Sequence, residues 1–167
     1  MTMVLRPDQT TDELTAPSNR ECPACGGCLT RWGSARPRTI RDDDRQVQLR
    51  PARVRCRSCG ITHVVLPADL LVRRRDSVVV IGKAVRAYAG GAGARKTATE
   101  LGLPAETVRG WFRALRARLR SKGRRLAEVI ASAEHDARSA GFIGEPALWR
   151  YLAHRSQGQL LTNTSWL

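Results

Sequence analysis

Cys22-Pro-Ala-Cys25-Gly26 and Cys56-Arg-Ser-Cys59-Gly60 are two copies of one short pattern, Cys-x-x-Cys-Gly. A gap of two residues lets both thiolates of a turn point at one ion, and the glycine that follows permits the left-handed backbone that closes the turn. Two such turns supply four thiolates, the ligand set of a closed tetrahedral zinc site. The pattern therefore predicts one structural Zn²⁺ per chain, bound by Cys22, Cys25, Cys56 and Cys59.

The thirty residues between the two turns favour strands. Three short stretches alternate in polarity: Arg38-Thr-Ile-Arg41, Gln46-Val-Gln-Leu49 and Arg53-Val-Arg55. Asp42, Asp43 and Asp44 lie between the first two and predict the tip of a β-hairpin, although an acidic metal site is the alternative. We expect a zinc ribbon over residues 21–70, stabilised by its metal, after a flexible polar lead over residues 1–20.

Cys28 and His63 leave alternatives open. Cys28 extends the first turn to Cys-x-x-Cys-x-x-Cys, so it is either a substitute ligand or a spare thiol, and we favour the spare thiol. His63 follows the second turn at the start of the apolar run Val64-Val-Leu66. It is either a hydrogen-bond donor to a ligand sulfur or a strand residue with no metal role.

From about Asp76 the apolar residues follow a helical period. Ile81, Val85 and Tyr88 fall on one face of a helix that ends near Gly90. A short helix from about Ala94 to Leu101 comes next, and a longer helix over residues 105–122 follows it. A further amphipathic stretch at 124–139 and a helix at Pro146–Arg155 complete the C-terminal segment, 124–167.

The stretch Lys96-Thr-Ala-Thr-Glu-Leu101-Gly102-Leu103-Pro104-Ala-Glu-Thr107-Val108-Arg-Gly-Trp111 has the pattern of a helix-turn-helix. Ala98 is small where the two helices cross, Gly102 takes the turn, and Leu103 fills the core beneath it. With the preceding helix, this predicts a three-helix DNA-binding domain over residues 76–123. The fold class we expect is α+β: a small β zinc ribbon, this domain, and C-terminal helices.

The helix at 105–122 has two faces. Apolar residues recur at helical spacing and predict a buried face: Val108, Trp111, Phe112, Leu115 and Leu119. Arginines recur at the same spacing on a second face: Arg109, Arg113, Arg116 and Arg120. A solvent-exposed face normally mixes charges of both signs, so a continuous arginine face favours an anionic partner.

In a helix-turn-helix the early residues of the second helix enter the major groove. We therefore expect base contacts from Glu106, Arg109, Gly110 and Arg113, and phosphate contacts from Thr97, Arg116 and Arg120. The ribbon adds a secondary basic surface, formed by Arg53, Arg55 and Arg57.

Charge is concentrated in the middle of the chain. The formal net charge is +14, and residues 31–125 hold 24 Lys and Arg against seven Asp and Glu, whereas both flanks are slightly acidic. A central basic field attracts polyanions, of which nucleic acid is the obvious one, although a solubilising charge is the alternative. The sequence shows no signal peptide and no membrane span, so we expect a cytoplasmic protein of the bacterial nucleoid with reduced thiols.

The two patterns together resemble an actinobacterial family that joins a zinc ribbon to a helix-turn-helix and is related to the N-terminal DNA-binding regions of insertion-sequence transposases. The resemblance is carried by both cysteine turns, by Thr62-His63-Val-Val-Leu-Pro67, by Arg73-Arg-Arg-Asp76 and by the stretch from Leu101 to Trp111; it extends to Gly158-Gln-Leu-Leu-Thr-Asn-Thr164. It implies DNA binding linked to a mobile element, by a transposase accessory protein or a transcriptional regulator.

Catalysis by this chain is not expected. Strand transfer needs acidic residues that converge on Mg²⁺ in a sizeable core, and after residue 125 only Glu128, Glu134, Asp136 and Glu145 remain. We expect double-stranded DNA as the partner, no small-molecule substrate, and a transposase contact or self-association through 124–167. The alternative for Leu126, Val129 and Ile130 in this segment is a cap on the protein's own core. The alternatives are a zinc-ribbon module that binds protein or RNA, and the DNA-binding part of a split transposase.

Overall fold

The computed structural model describes residues 2–4, 21–43, 45–122 and 125–155. These residues form a mixed α+β structure, with a small β-structure before five helices, as expected from the sequence. Asp44, residues 5–20 of the predicted lead, and the tail at 158–164 lie outside the described residues. No helix among the described residues is both long and apolar enough to cross a membrane.

A four-stranded sheet carries both cysteine turns at one of its ends. Its strands are β1 (Thr2–Val4), β2 (Leu29–Ser34), β5 (Ala52–Cys56) and β6 (Thr62–Leu66), in the order β1-β6-β5-β2. β5 pairs antiparallel with both neighbours, and β1 pairs parallel with β6. The predicted flexible lead is therefore wrong at residues 2–4, because Thr2 and Val4 are in register with Val64 and Leu66.

A separate hairpin formed by β3 (Arg38–Asp42) and β4 (Arg45–Leu49) follows β2, with its tip at the predicted aspartates. Two of its side chains contact the helical part of the chain. Arg41 Nε lies 2.7 Å from the buried carboxylate of Asp76, and Lys83 Nζ lies 2.6 Å from Asp43. The hairpin is thus docked against the helical part of the chain by two ion pairs.

The helices begin and end close to the predicted positions. They are α1 (Val78–Ala89), α2 (Ala94–Glu100), α3 (Ala105–Lys122), α4 (Leu126–Ser139) and α5 (Glu145–Arg155). Ser77 caps α1 by accepting a hydrogen bond from the amide of Val80. Between α2 and α3, Gly102 has φ +61°, and the amide of Leu103 donates to the carbonyl of Ala98 at 2.9 Å. The chain therefore turns sharply here, at the glycine predicted to allow it.

All five helices contribute to one apolar core. Trp149 of α5 is fully buried, and its indole ring lies over Gly82 of α1. The apolar face of α4 is buried in this same core: Leu126, Val129, Ile130 and Ala133. The predicted division at residue 124 is therefore wrong as a packing boundary, and this face of α4 is not available for self-association or for a transposase.

Candidate functional site

Four cysteine side chains meet at one end of the sheet. Cys22 and Cys25 precede β2, Cys56 ends β5, and Cys59 lies in the turn before β6. The Sγ atoms of Cys22 and Cys59 are 3.7 Å apart, those of Cys25 and Cys56 are 3.5 Å apart, and all four lie within 4.8 Å of one another. None of the four forms a disulfide. This group could hold a metal ion, as the spacing of the cysteines predicted.

The two turns that carry these cysteines have the same backbone. The amide of Gly26 donates to the carbonyl of Cys22 at 2.8 Å, and the amide of Gly60 donates to the carbonyl of Cys56 at 3.1 Å. Their φ angles are +70° and +72°, which an L side chain would strain. The predicted left-handed role of both glycines is confirmed.

The thiols of this group influence one another's ionisation. Amide hydrogen bonds, first from Cys59 and then from Ser58, lower the pKa of Cys56 to about 6. The amide of Ile61 lowers the pKa of Cys59, but desolvation and the neighbouring thiols outweigh it and raise that pKa to about 12. Ionisation of one thiol therefore opposes ionisation of its neighbours. If all four are thiolates at these distances, a positive charge between them is required.

His63 lies directly behind the cysteine group. It is fully buried on β6, and its Nε2 is 3.4 Å from Cys22 Sγ. Desolvation lowers the pKa of His63, which favours the neutral imidazole with its one N–H. Its Nδ1 has no hydrogen-bond partner among the described residues, so we place the proton on Nε2, which donates to the sulfur. Of the two interpretations of His63, the geometry favours the donor to a sulfur.

Cys28 takes no part in the group. Its side chain is exposed, and its backbone pairs with Glu21 and accepts a hydrogen bond from the amide of Arg57. The structure therefore places Cys28 as the spare thiol.

α3 carries the second notable surface. Its inner face, formed by Val108, Trp111, Phe112 and Leu115, is buried. Arg113, Arg116 and Arg120 are exposed on the other side, and Arg109 is half-buried beside Glu106, with which it forms an ion pair. The sequence therefore divides α3 into the two faces that its spacing predicted.

A groove runs between this arginine face and the end of α1. One part, of about 460 Å³, lies between residues 91–94 and three arginines of α3: Arg109, Arg113 and Arg116. A second part, of about 560 Å³, continues past Arg116 to Arg120 and Arg125. Both parts contain Tyr88, whose hydroxyl accepts a hydrogen bond from Arg116 Nε at 3.2 Å. Tyr88 and Arg116 line both parts, which therefore adjoin along the arginine face of α3, and we call the two parts together the basic groove.

Residues 22–111, more than half of the chain, match the family model described as a domain of unknown function, DUF6431. The chain belongs to this family. No curated protein and no solved structure matches it. The DUF6431 region begins at Cys22, the first residue of the cysteine group, and ends at Trp111, in the second turn of α3. The family region thus joins the cysteine group to α1, α2 and the start of α3.

Within the DUF6431 region, two of the residues predicted to contact nucleic acid are exposed on α3 and one is buried in α2. Glu106 and Gly110 are exposed at the start of α3, beside Arg109. Thr97 is fully buried, and its hydroxyl donates to the carbonyl of Gly93 at 3.2 Å. The predicted phosphate contact of Thr97 is therefore wrong, because the hydroxyl that would reach a phosphate is used inside α2.

Two features of the site region were not assigned from the sequence. The DUF6431 region contains an exposed tryptophan, Trp32, beside the predicted basic surface of Arg53, Arg55 and Arg57, all three of which are exposed. Arg86 of α1 forms ion pairs with Glu134 and Glu145, which hold α4 and α5 against the family region. Strand alternation could have placed Trp32 on this face, but the partners of Arg86 lie about fifty residues away or more in the sequence.

Proposed function

We propose that this chain is a non-enzymatic protein that binds double-stranded DNA through α3, with α2 and α3 acting as a helix-turn-helix packed on α1. The observation that carries the proposal is the exposed arginine face of α3, opposite a fully buried face. Glu106 is the sole acidic residue within α3. Like charges held this close repel one another unless an anion lies between them.

The dimensions of α3 suit a major groove. Its 18 residues span about 27 Å, and the major groove of B-DNA is wide enough to admit a helix. In this proposal Glu106, Arg109 and Arg113 approach base edges, while Arg116 and Arg120 bind phosphates along the basic groove.

Gly110 supports a closely approaching partner. A glycine inside a helix costs about 1 kcal/mol relative to alanine. A Cβ added at Gly110 would meet no atom within 4 Å, so packing within the described residues does not require glycine there. The missing side chain is accounted for if another molecule lies against this part of α3.

We further propose that the cysteine group binds one Zn²⁺. A tetrahedral ion with Zn–S bonds of about 2.3 Å separates its sulfurs by about 3.8 Å. Two sulfur pairs, at 3.5 and 3.7 Å, are near this value, and all four sulfurs lie within 4.8 Å of one another. With all four positions taken by thiolates, the ion would stabilise the fold and leave no open position for catalysis. His63 would donate its N–H to the ligand sulfur of Cys22.

The acidic residues after residue 125 support a non-enzymatic role. Glu134 and Glu145 are held by Arg86, and Asp136 by Arg155. Carboxylates that neutralise arginines in this way are not arranged around a shared metal ion. The resemblance to the transposase-related family favours a mobile-element accessory protein or a transcriptional regulator as the biological setting.

Charge reversal on α3 tests the DNA-binding proposal. We expect Arg109→Glu with Arg113→Glu to weaken binding to a labelled random-sequence duplex at least about 100-fold, and to reduce the salt dependence of binding. Fluorescence anisotropy over a salt series measures both. Arg138→Glu removes the same kind of charge from an exposed site on α4 and should change affinity less than about threefold. Equal duplex binding by the double variant and the unaltered chain would disprove the role of α3.

A further inference from the structure

The outer face of the four-stranded sheet carries a large exposed aromatic ring. Trp32 on β2 is 54% exposed and lies where the pairing of β2 with β5 shifts register, between Arg31 and Ser34. Along β5, Val54 and Cys56 are buried while Arg53 and Arg55 are exposed. Because side chains alternate along a strand, Arg53 and Arg55 share the outer face, on which the exposed ring of Trp32 also lies.

Arg55 holds the ring of Trp32 in position. Its guanidinium carbon lies 4.7 Å from the ring centroid, within the range of a cation–π interaction. The same guanidinium is anchored by a hydrogen bond from Nε to the carbonyl of Gly60, at 3.3 Å. Trp32 is therefore a supported flat surface that the apolar core does not use.

The charge around this ring has one sign. The four strands of the sheet contain no Asp or Glu, whereas β5 contributes Arg53 and Arg55 to the outer face, and Arg57 follows directly. Arg31 is in register with the buried Val54 and belongs to the opposite face. Arg53 and Arg57 are exposed, and neither has an ion-pair partner among the described residues. A phosphate backbone is the complementary surface for such a face.

We propose that this face binds an unpaired nucleotide strand, with a base stacked on the side of Trp32 that Arg55 leaves open and with Arg53 and Arg57 on its phosphates. An exposed tryptophan ring stacks on the flat face of a base. In a duplex, the faces of the bases are covered by the neighbouring base pairs. α3 differs in this respect, because its aromatic residues Trp111 and Phe112 are buried and its arginine face has no exposed aromatic ring. The sheet and α3 therefore suit different forms of nucleic acid.

The test uses the full chain loaded with metal and a labelled oligothymidylate, with binding followed by anisotropy. Trp32→Ala should weaken binding about tenfold, because it removes one stacked base. Trp32→Phe keeps an aromatic face and should stay within about threefold of the unaltered chain. Because Trp32 is exposed, neither variant should differ from the unaltered chain in thermal unfolding or metal content, and both are measured on the same samples.

Two further probes separate stacking from charge and from the role of α3. An abasic strand of the same length has the phosphates but no bases, so Trp32→Ala should not alter its binding. Binding of the duplex should also be unchanged in Trp32→Ala, whereas Arg109→Glu with Arg113→Glu should spare the oligothymidylate. If Trp32→Ala binds oligothymidylate normally, the proposal is overturned and the face is better explained as a protein-docking surface. Equal losses in Trp32→Ala and Trp32→Phe would overturn stacking as well.

Discussion

The sheet and the helical half of this protein are stabilised in different ways. The helical half buries 20 hydrophobic residues in one cluster, Leu71 and 19 residues of the five helices, whereas the sheet's own cluster has five, and two of those are Cys22 and Cys56. A cluster of that size cannot offset the entropy lost on ordering four strands. This difference supports the proposal that a metal ion bound by the cysteine group stabilises the sheet, as apolar packing stabilises the helices.

The two halves also present arginine differently. On α3 the arginines follow a helical period and lie opposite a buried face, without an exposed aromatic ring. On the sheet they follow strand alternation and surround Trp32. Arginine thus lines a groove beside a helix in one half and borders a partly aromatic strand surface in the other.

The largest expected effect breaks the sheet and spares the helices. Cys56→Ser with Cys59→Ser removes two ligands, and structural zinc contributes on the order of 10 kcal/mol of folding free energy in small domains. We expect loss of the single metal ion and loss of amide protection in β2, β5 and β6. Hydrogen exchange should show that α1, α3, α4 and α5 keep their protection.

Cys28→Ser is the matched control, because it removes an exposed thiol outside the group. It should retain one metal ion per chain by elemental analysis. If the helices lose their protection together with the sheet in the double variant, the two halves form one cooperative unit and the comparison fails.

A smaller effect tests the helical core. In Gly82→Ala the new Cβ would overlap the indole ring of the fully buried Trp149. Overpacking of this kind should lower the free energy of unfolding by about 3 kcal/mol. Thermal unfolding measures this loss, and the metal content should not change. An unaltered melting temperature would show that α5 is not packed on α1 in this way.

The smallest effect uses the same substitution in α3 and has the opposite sign. Gly110→Ala should raise the free energy of unfolding by up to about 1 kcal/mol, since alanine favours the helix and the position is open. Under the DNA-binding proposal it should also weaken duplex binding, because the methyl group separates α3 from its partner. A variant that is more stable and binds duplex as well as before would remove Gly110 from the interface.

Several features could be predicted from the sequence because they depend on short spacings. The cysteines two residues apart, each pair followed by glycine, predicted both turns and the meeting of four thiols. The period of Val108, Trp111 and Leu115 predicted the buried face of α3, and with it the exposed arginines. Local backbone geometry decides both features, so residues near one another in sequence are sufficient to infer them.

Other features depended on residues far apart in the chain. Pairing of β1 with β6 joins residues about sixty positions apart, and nothing in Thr2–Val4 alone favours a strand. The burial of Trp149 against Gly82 likewise depends on how α5 returns to α1. Thr97 was misassigned because exposure on a short helix depends on which neighbours cover it.

The sequence by itself thus determined which chemical groups the protein carries and how they are spaced: four cysteines in two Cys-x-x-Cys turns, and four arginines at helical spacing in α3. Only the tertiary structure decided which of these groups meet and which remain exposed. It placed Nε2 of His63 3.4 Å from the sulfur of Cys22, set Arg55 against Trp32, and buried the apolar face of α4 in the chain's own core. The physical reason is that spacing fixes direction along one element, while burial depends on the summed packing of elements that are distant in sequence.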